Sequence, residues 1–252
     1  MAKLGGSITV TASDLYTTTT VPEHAVGALA WDWNVGKAFR YSLIGTSALV
    51  AGNLIQEAVR DTQFVNMTVG TAAAVGDAFI QVTNGTTTVV PTQYKYGTIH
   101  IYTAGTDLIG DEYTVTGVSG TLTTGGALNV YTDRTVRYAI TTAATVNILP
   151  SPWAGVIQAP TTQTGIIVGG AIYANAASTS TIFQYAWVQT HGQFNVLSDS
   201  STYAIGSDLG GPCANTAGAP AVYAAGTTHQ RVGVARQAQA STHGISMFLQ
   251  ID

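Results

Sequence analysis

Short runs of alternating apolar and polar residues, cut at roughly 8–12-residue intervals by turn residues, commit this chain to β-structure. Phe39, Tyr41 and Leu43 alternate with polar or small neighbours, as do Val65, Met67 and Val69. The same period recurs in Gly97–Tyr102, Tyr113–Thr116, Ala127–Tyr131 and Thr145–Leu149, and later in Ile182–Gln189, Phe194–Leu197, Arg231–Ala235 and Ile245–Ile251. Phe79–Val82 runs into Asn84-Gly85, a pair that tolerates positive φ and predicts a tight hairpin. His191-Gly192 reads as a turn after a strand end. No amphipathic helix of useful length is visible, and Leu49–Arg60 has room for one or two helical turns. The expected fold class is all-β, with β-sandwich or barrel-like domains, an extended N-terminal arm and little helix.

A small turn grammar punctuates these strands. Val75-Gly76-Asp77-Ala78-Phe79, Ile109-Gly110-Asp111-Glu112-Tyr113 and Ile205-Gly206-Ser207-Asp208-Leu209 each place glycine and a capping polar side chain before a hydrophobe. Ala51-Gly52-Asn53-Leu54-Ile55 is a looser copy, and the irregular spacing argues against a solenoid. Pro150, Pro152 and Pro160 mark a junction. Three regions are expected: an extended arm over 1–35, a central β domain over 36–150 and a C-terminal β unit over 151–252. The arm passes through Thr17–Thr20 to Val21-Pro22 with little to bury, so an isolated monomer should leave it free. A glycine-rich exposed loop is expected over 206–219.

Charge is scarce. Asp, Glu, Lys and Arg make up 9% of the 252 residues, against about 25% in an ordinary soluble domain. Solubility normally draws on abundant mixed charge; a surface built from threonine, glycine, alanine and valine points to burial against partners. The nine basic residues are scattered and form no stripe for a phosphate backbone, so nucleic acid is not an expected partner. The most apolar stretch, Gly165–Ala177, is short and broken by glycine, and no membrane association is expected. Met1–Val10 has no apolar core of a signal peptide, which places synthesis in the cytoplasm.

Catalytic chemistry finds no foothold. Cys213 stands alone, and His24, His100, His191, His229 and His243 lack metal-ligand spacing. Asp32 and the Asp111-Glu112 pair are the carboxylates best suited to hydrolysis, yet they read as turn caps or solvated charges. No catalytic residue, metal or cofactor is expected. The aromatic pairs Trp31/Trp33, Tyr94/Tyr96 and Tyr185/Trp187 suit core packing, interface burial or sugar stacking; within the first two, residues two apart share a strand face. The candidate partner interface comprises Ile8, Val10, Leu15, Tyr16 and Val21 on the arm, with Trp31 and Trp33.

Several longer motifs stand out: Phe39-Arg40-Tyr41 through Leu54-Ile55-Gln56, Gln93-Tyr94-Lys95-Tyr96-Gly97, Val136-Arg137-Tyr138-Ala139-Ile140-Thr141-Thr142 and Leu149-Pro150-Ser151-Pro152-Trp153-Ala154-Gly155-Val156. Tyr185-Ala186-Trp187-Val188-Gln189-Thr190-His191-Gly192, Ile205-Gly206 and Arg231-Val232-Gly233-Val234-Ala235 extend the set over most of 36–252. Together they resemble motifs of tailed-bacteriophage virion proteins of the head decoration, or cement, type. The resemblance implies a non-enzymatic homotrimer on the outer virion surface, bound to the major capsid protein and stabilising the head. A tail or baseplate component, and a carbohydrate-binding module built on Trp31, Trp33 and Trp187, are the alternatives.

Overall fold

The computed structural model describes residues 8–87, 89, 94–102, 111–119, 125–199, 202–211, 215–223, 229–238 and 244–251. Cys213 and His243 lie outside these, as do Ile109 and Gly110 of one turn motif. Among the described residues strands dominate, with one four-residue helix, α1 (Ala12–Leu15), and a 3-10 turn at Thr62–Phe64. The chain is nearly all β, as its periodicity requires. It divides into two compact units, one made of 1–59 with 152–252 and the other of 60–151. The division falls close to Pro150 and Pro152, and 36–59 lies in the first unit with the residues after 151. Its strands find their hydrogen-bonding partners after residue 152, and backbone pairing overrides proximity in sequence.

The first unit begins with β1 (Leu29–Asp32), β2 (Lys37–Ile44) and β3 (Leu54–Gln56). The second unit is a closed antiparallel barrel of β4 (Met67–Thr71), β5 (Phe79–Thr83), β6 (Thr98–Tyr102), β7 (Asp111–Val118), β8 (Ala127–Thr132) and β9 (Thr145–Leu149), in the order β4-β5-β8-β7-β6-β9. Alternation sends side chains inward from every strand: Met67 and Val69, Ile80 and Val82, Ile99 and Ile101, Tyr113, Val115 and Val118, Leu128 and Val130, Val146 and Ile148. Each aliphatic chain so buried contributes about 1.5–3 kcal/mol, and a barrel this narrow is filled by side chains. Phe64 and Tyr94, ring centroids 4.7 Å apart, add to the same core.

Asn84-Gly85 does not close a hairpin. β5 pairs instead with β4 and β8, and Asn84 exchanges backbone bonds with Gly125 and Gly126. Tyr94 and Tyr96 also part company: they sit in a turn, Tyr94 buried and Tyr96 exposed at φ 66°.

The first unit resumes with β10 (Ala154–Gln158), β11 (Ile167–Gly170), β12 (Tyr185–Val196), β13 (Asp208–Gly211), β14 (Ala221–Val222), β15 (Gln230–Ala235) and β16 (Ile245–Gln250). Pairings β2–β10, β10–β3, β3–β11, β11–β12 and β12–β2 close a ring around Ile44, Ile55, Val156, Val168 and Val188. The far half of β12 carries the sheet onward to β16, β15, β13 and β14 over a second core of Phe194, Val196, Leu209, Met247 and Leu249. Within the expected loop over 206–219, Asp208–Gly211 is strand β13, and 212–214 lie outside the described residues. At Gly76 and Gly206 the backbone turns at φ 96° and 84° with open space where a Cβ would stand, which is the turn grammar the sequence displayed.

Residues 8–28 are not a free arm. Ile8 N–H donates to Leu29 O at 2.7 Å, and Thr19 exchanges backbone bonds with Tyr185. Leu15 is buried with Phe39, Tyr41 and Trp187. Thr18 Oγ1 donates to Asn175 Oδ1 at 2.7 Å and meets the Tyr173 hydroxyl at 2.9 Å, while Thr19 Oγ1 meets the Tyr41 hydroxyl at 2.9 Å. The threonines that looked like linker composition satisfy tyrosine hydroxyls that burial would otherwise strand. A capping box starts α1: Thr11 N–H donates to Asp14 Oδ2 at 2.8 Å, holding that carboxyl below its usual range, and Asp14 N–H returns a bond to Thr11 Oγ1.

Candidate docking cleft

β12 is one continuous strand where the sequence suggested two strands and a turn. Gly192, at φ 93°, bends it without ending it, and its register with β2 slips between Gln189 and His191. A Cβ at Gly192 would lie 2.6 Å from Gly36 O, so glycine is what lets the β1–β2 turn approach so closely.

The phase of hydrogen bonding along β12 follows from a single bond. Ile251 N–H donates to Thr190 O at 3.0 Å, and the antiparallel register pairs His191 with Gln250. In an antiparallel ladder bonded and non-bonded pairs alternate, so Gly192, Phe194 and Val196 bond to β16. Gln193 and Asn195 aim their N–H and C=O groups the opposite way. The neighbour on that side is β2, but β2 starts at Lys37 and pairs with β12 no further than His191. Gln193 O accepts from Gln189 Nε2 at 2.9 Å. Gln193 N–H and both backbone groups of Asn195 have no partner among the described residues. They form a short open strand edge.

That edge lines a cleft of about 610 Å³. One wall is α1 and its neighbour (Ala12, Leu15, Tyr16), another the β1–β2 turn (Asp32, Val35, Lys37), and Gly52 flanks the end where Leu197 N–H donates to Gly52 O. Tyr16 and Val35 are 59% and 60% exposed, so the cleft presents apolar side chains beside unsatisfied backbone. Asp32 and Lys37 face each other in register and supply one charge of each sign.

Such a cleft suits an extended peptide, which would gain ladder bonds from its backbone and side-chain contacts from Tyr16 and Val35. Among the described residues, no group of three or more His, Cys, Asp or Glu could hold a metal. Asp111, a hydrolytic candidate by sequence, lies in the other unit and is engaged: Arg137 Nη2 is 2.6 Å from its Oδ1, and the Tyr113 hydroxyl donates to its Oδ2 at 2.7 Å. His100 Nδ1 stands 3.8 Å from Glu112 Oε2.

The interface residues named from the sequence separate. Ile8 and Val10 are half-buried and Leu15 is buried, spent on holding the arm; Tyr16 and Val21 remain exposed. Trp31 and Trp33 do share a face, their centroids 5.1 Å apart, with Trp33 77% exposed. Trp187 is core, at 2% exposure, and is unavailable for stacking on a ligand. Sequence reasoning missed the β12 edge; the signal for it was Gly192 inside an otherwise strand-like run, which marks a bulge or a close approach of backbone.

No protein-family model matches this chain, and no curated protein or solved structure matches it either. No helix among the described residues is long and apolar enough to cross a membrane.

Proposed function

We propose that this chain is a head decoration protein of a tailed bacteriophage, a homotrimer that binds the major capsid protein on the outer surface of the virion and stabilises the head without catalysis. The observation that carries the reading is the open edge at Gln193 and Asn195 inside a partly apolar cleft. In this reading an extended segment of the capsid protein enters the cleft and adds a strand to β12. Backbone bonds and small apolar contacts need no ion pairs, which accords with a chain only 9% charged. The motif resemblance to decoration proteins supports the same assignment. Contacts individually weak become secure when repeated over a lattice.

The arm's part differs from that of a free tether. It forms a wall of the cleft, so its docking on its own sheet shapes the site it serves. The test is to titrate the purified protein onto emptied phage heads and count bound copies against capsid protein. Saturation near a fixed stoichiometry is expected. Failure to bind heads, together with absence from purified virions, overturns the reading.

A further inference from the structure

We propose that the row of aromatic rings carried by the β1–β2 hairpin, β12 and β16 is a binding site for neutral oligosaccharide. Trp31 pairs in register with Ala38, Ala38 with His191, and His191 with Gln250, which sets their side chains at one level across the sheet. Ala38 offers only a methyl group, so the Trp31 and His191 rings meet over it at 5.5 Å. Trp33 continues the row on one side, 5.1 Å from Trp31, and Phe248 on the other, 5.1 Å from His191. Four rings thus run across the sheet, ending in a tryptophan that is 77% exposed.

The surroundings select the ligand. Gln193 and Gln250 are exposed on this face, next to Ser246, and an amide both donates and accepts. Hydroxyls of a sugar need that dual capacity, while the C–H face of its ring suits an aromatic platform. Charge is minor here: Arg236 Nη1 is turned onto Gln193 Oε1 at 3.3 Å, and Arg40 onto Gly27 O at 2.9 Å with Trp153 beneath it. Asp32 and Lys37 alternate to the opposite face with Ala30 and Phe39. An anionic polymer would find little to hold it.

This site is independent of the cleft, which uses backbone groups at the edge of β12. Binding is measured on an array of neutral gluco-, galacto- and N-acetylglucosamine hexasaccharides, and in solution by tryptophan emission with the same sugars. Saturable binding to at least one series is expected, weakened about tenfold by Trp33→Ala and unchanged by Val21→Ala, an exposed position on the arm. Trp33 is exposed enough that its loss spares the fold. No saturable binding to any series overturns the proposal, as does equal binding by Trp33→Ala. A concentration-dependent sedimentation shift that Trp33→Ala abolishes, without sugar binding, would instead make the face a contact between copies. Capture on dextran sulfate alone, lost with added salt, overturns it too. Head attachment by Trp33→Ala is a separate readout that reports only on the cleft.

Discussion

The Ile251 N–H donates to the Thr190 carbonyl at 3.0 Å, and that one contact decides which residues of β12 serve its own sheet and which face outward from it. Even-numbered residues from Gly192 to Val196 bond to β16; Gln193 and Asn195 do not. The difference makes neighbouring positions respond oppositely to proline.

Asn195→Pro removes an N–H that the ladder does not use, and stability should change by no more than about 1 kcal/mol. Phe194→Pro removes a ladder donor inside the sheet and should cost about 3 kcal/mol or more. Urea midpoints on the full chain compare them. On emptied heads Asn195→Pro is expected to bind about tenfold more weakly, through loss of a strand-addition donor. Attachment unchanged by Asn195→Pro would remove the β12 edge from the interface.

Leu15→Ala should cost about 2–4 kcal/mol, because Leu15 is buried among Phe39, Tyr41 and Trp187. Cleavage within 8–22 by added protease should quicken in parallel. Tyr16→Ala, one residue on, changes an exposed side chain and should leave the melting temperature almost unmoved. Equal effects at the two positions would mean that the arm is not held by its side-chain packing.

In the barrel, Tyr113→Phe deletes the hydroxyl that donates to Asp111 Oδ2 and accepts from Arg137 N–H at 3.0 Å. Asp111 is itself buried, so a carboxylate oxygen loses its donor. The expected loss is about 1–3 kcal/mol, read from chemical unfolding of the intact protein.

Stability should decline in alkali. Burial pushes the Tyr94 hydroxyl well above its ordinary 10.0, with the Asp61 carboxylate adding to the shift. Burial does the same to Tyr203, whose hydroxyl also donates to Asp199. With folded values raised, the stabilisation is complete below pH 10.0 and drains away above it, as unfolded chains surrender protons that folded ones keep. Each tyrosine contributes a slope of about 1.4 kcal/mol per pH unit in that window. Tyr94→Phe and Tyr203→Phe should each flatten the curve of unfolding free energy against pH.

The sequence announced local geometry well and long-range pairing poorly. Ile99 with Ile101 and Val146 with Ile148 alternate because one barrel face is wet, and a two-residue period records that directly. Gly76 and Gly206 advertised their turns because few other residues adopt such φ values at no cost. By contrast, nothing in Phe39–Leu43 states that its partner is Tyr185–Gln189, since any strand with a matching face would serve. Asn84-Gly85 misled for the same reason: its local preference for a hairpin is outbid by pairing of β5 with the distant β8. The arm misled through composition, as threonine hydroxyls that suit water suit buried tyrosines equally. His191-Gly192 read as a turn, yet neighbours on both sides of the strand held the chain extended through it. Trp31 and Trp33 were legible as a pair; the row they begin was not, because His191 and Phe248 reach it only through the register of three other strands.

The barrel is spelled out between Val59 and Pro152, in the middle of its companion unit. A ribosome therefore finishes the barrel while β1, β2 and β3 still wait for β10 and β12 to be made, and domains generally fold as they emerge. The order of synthesis makes the inserted module the first to mature. The outer unit, with its cleft and its aromatic row, is completed afterwards, once β10 to β16 have joined the strands made before the barrel.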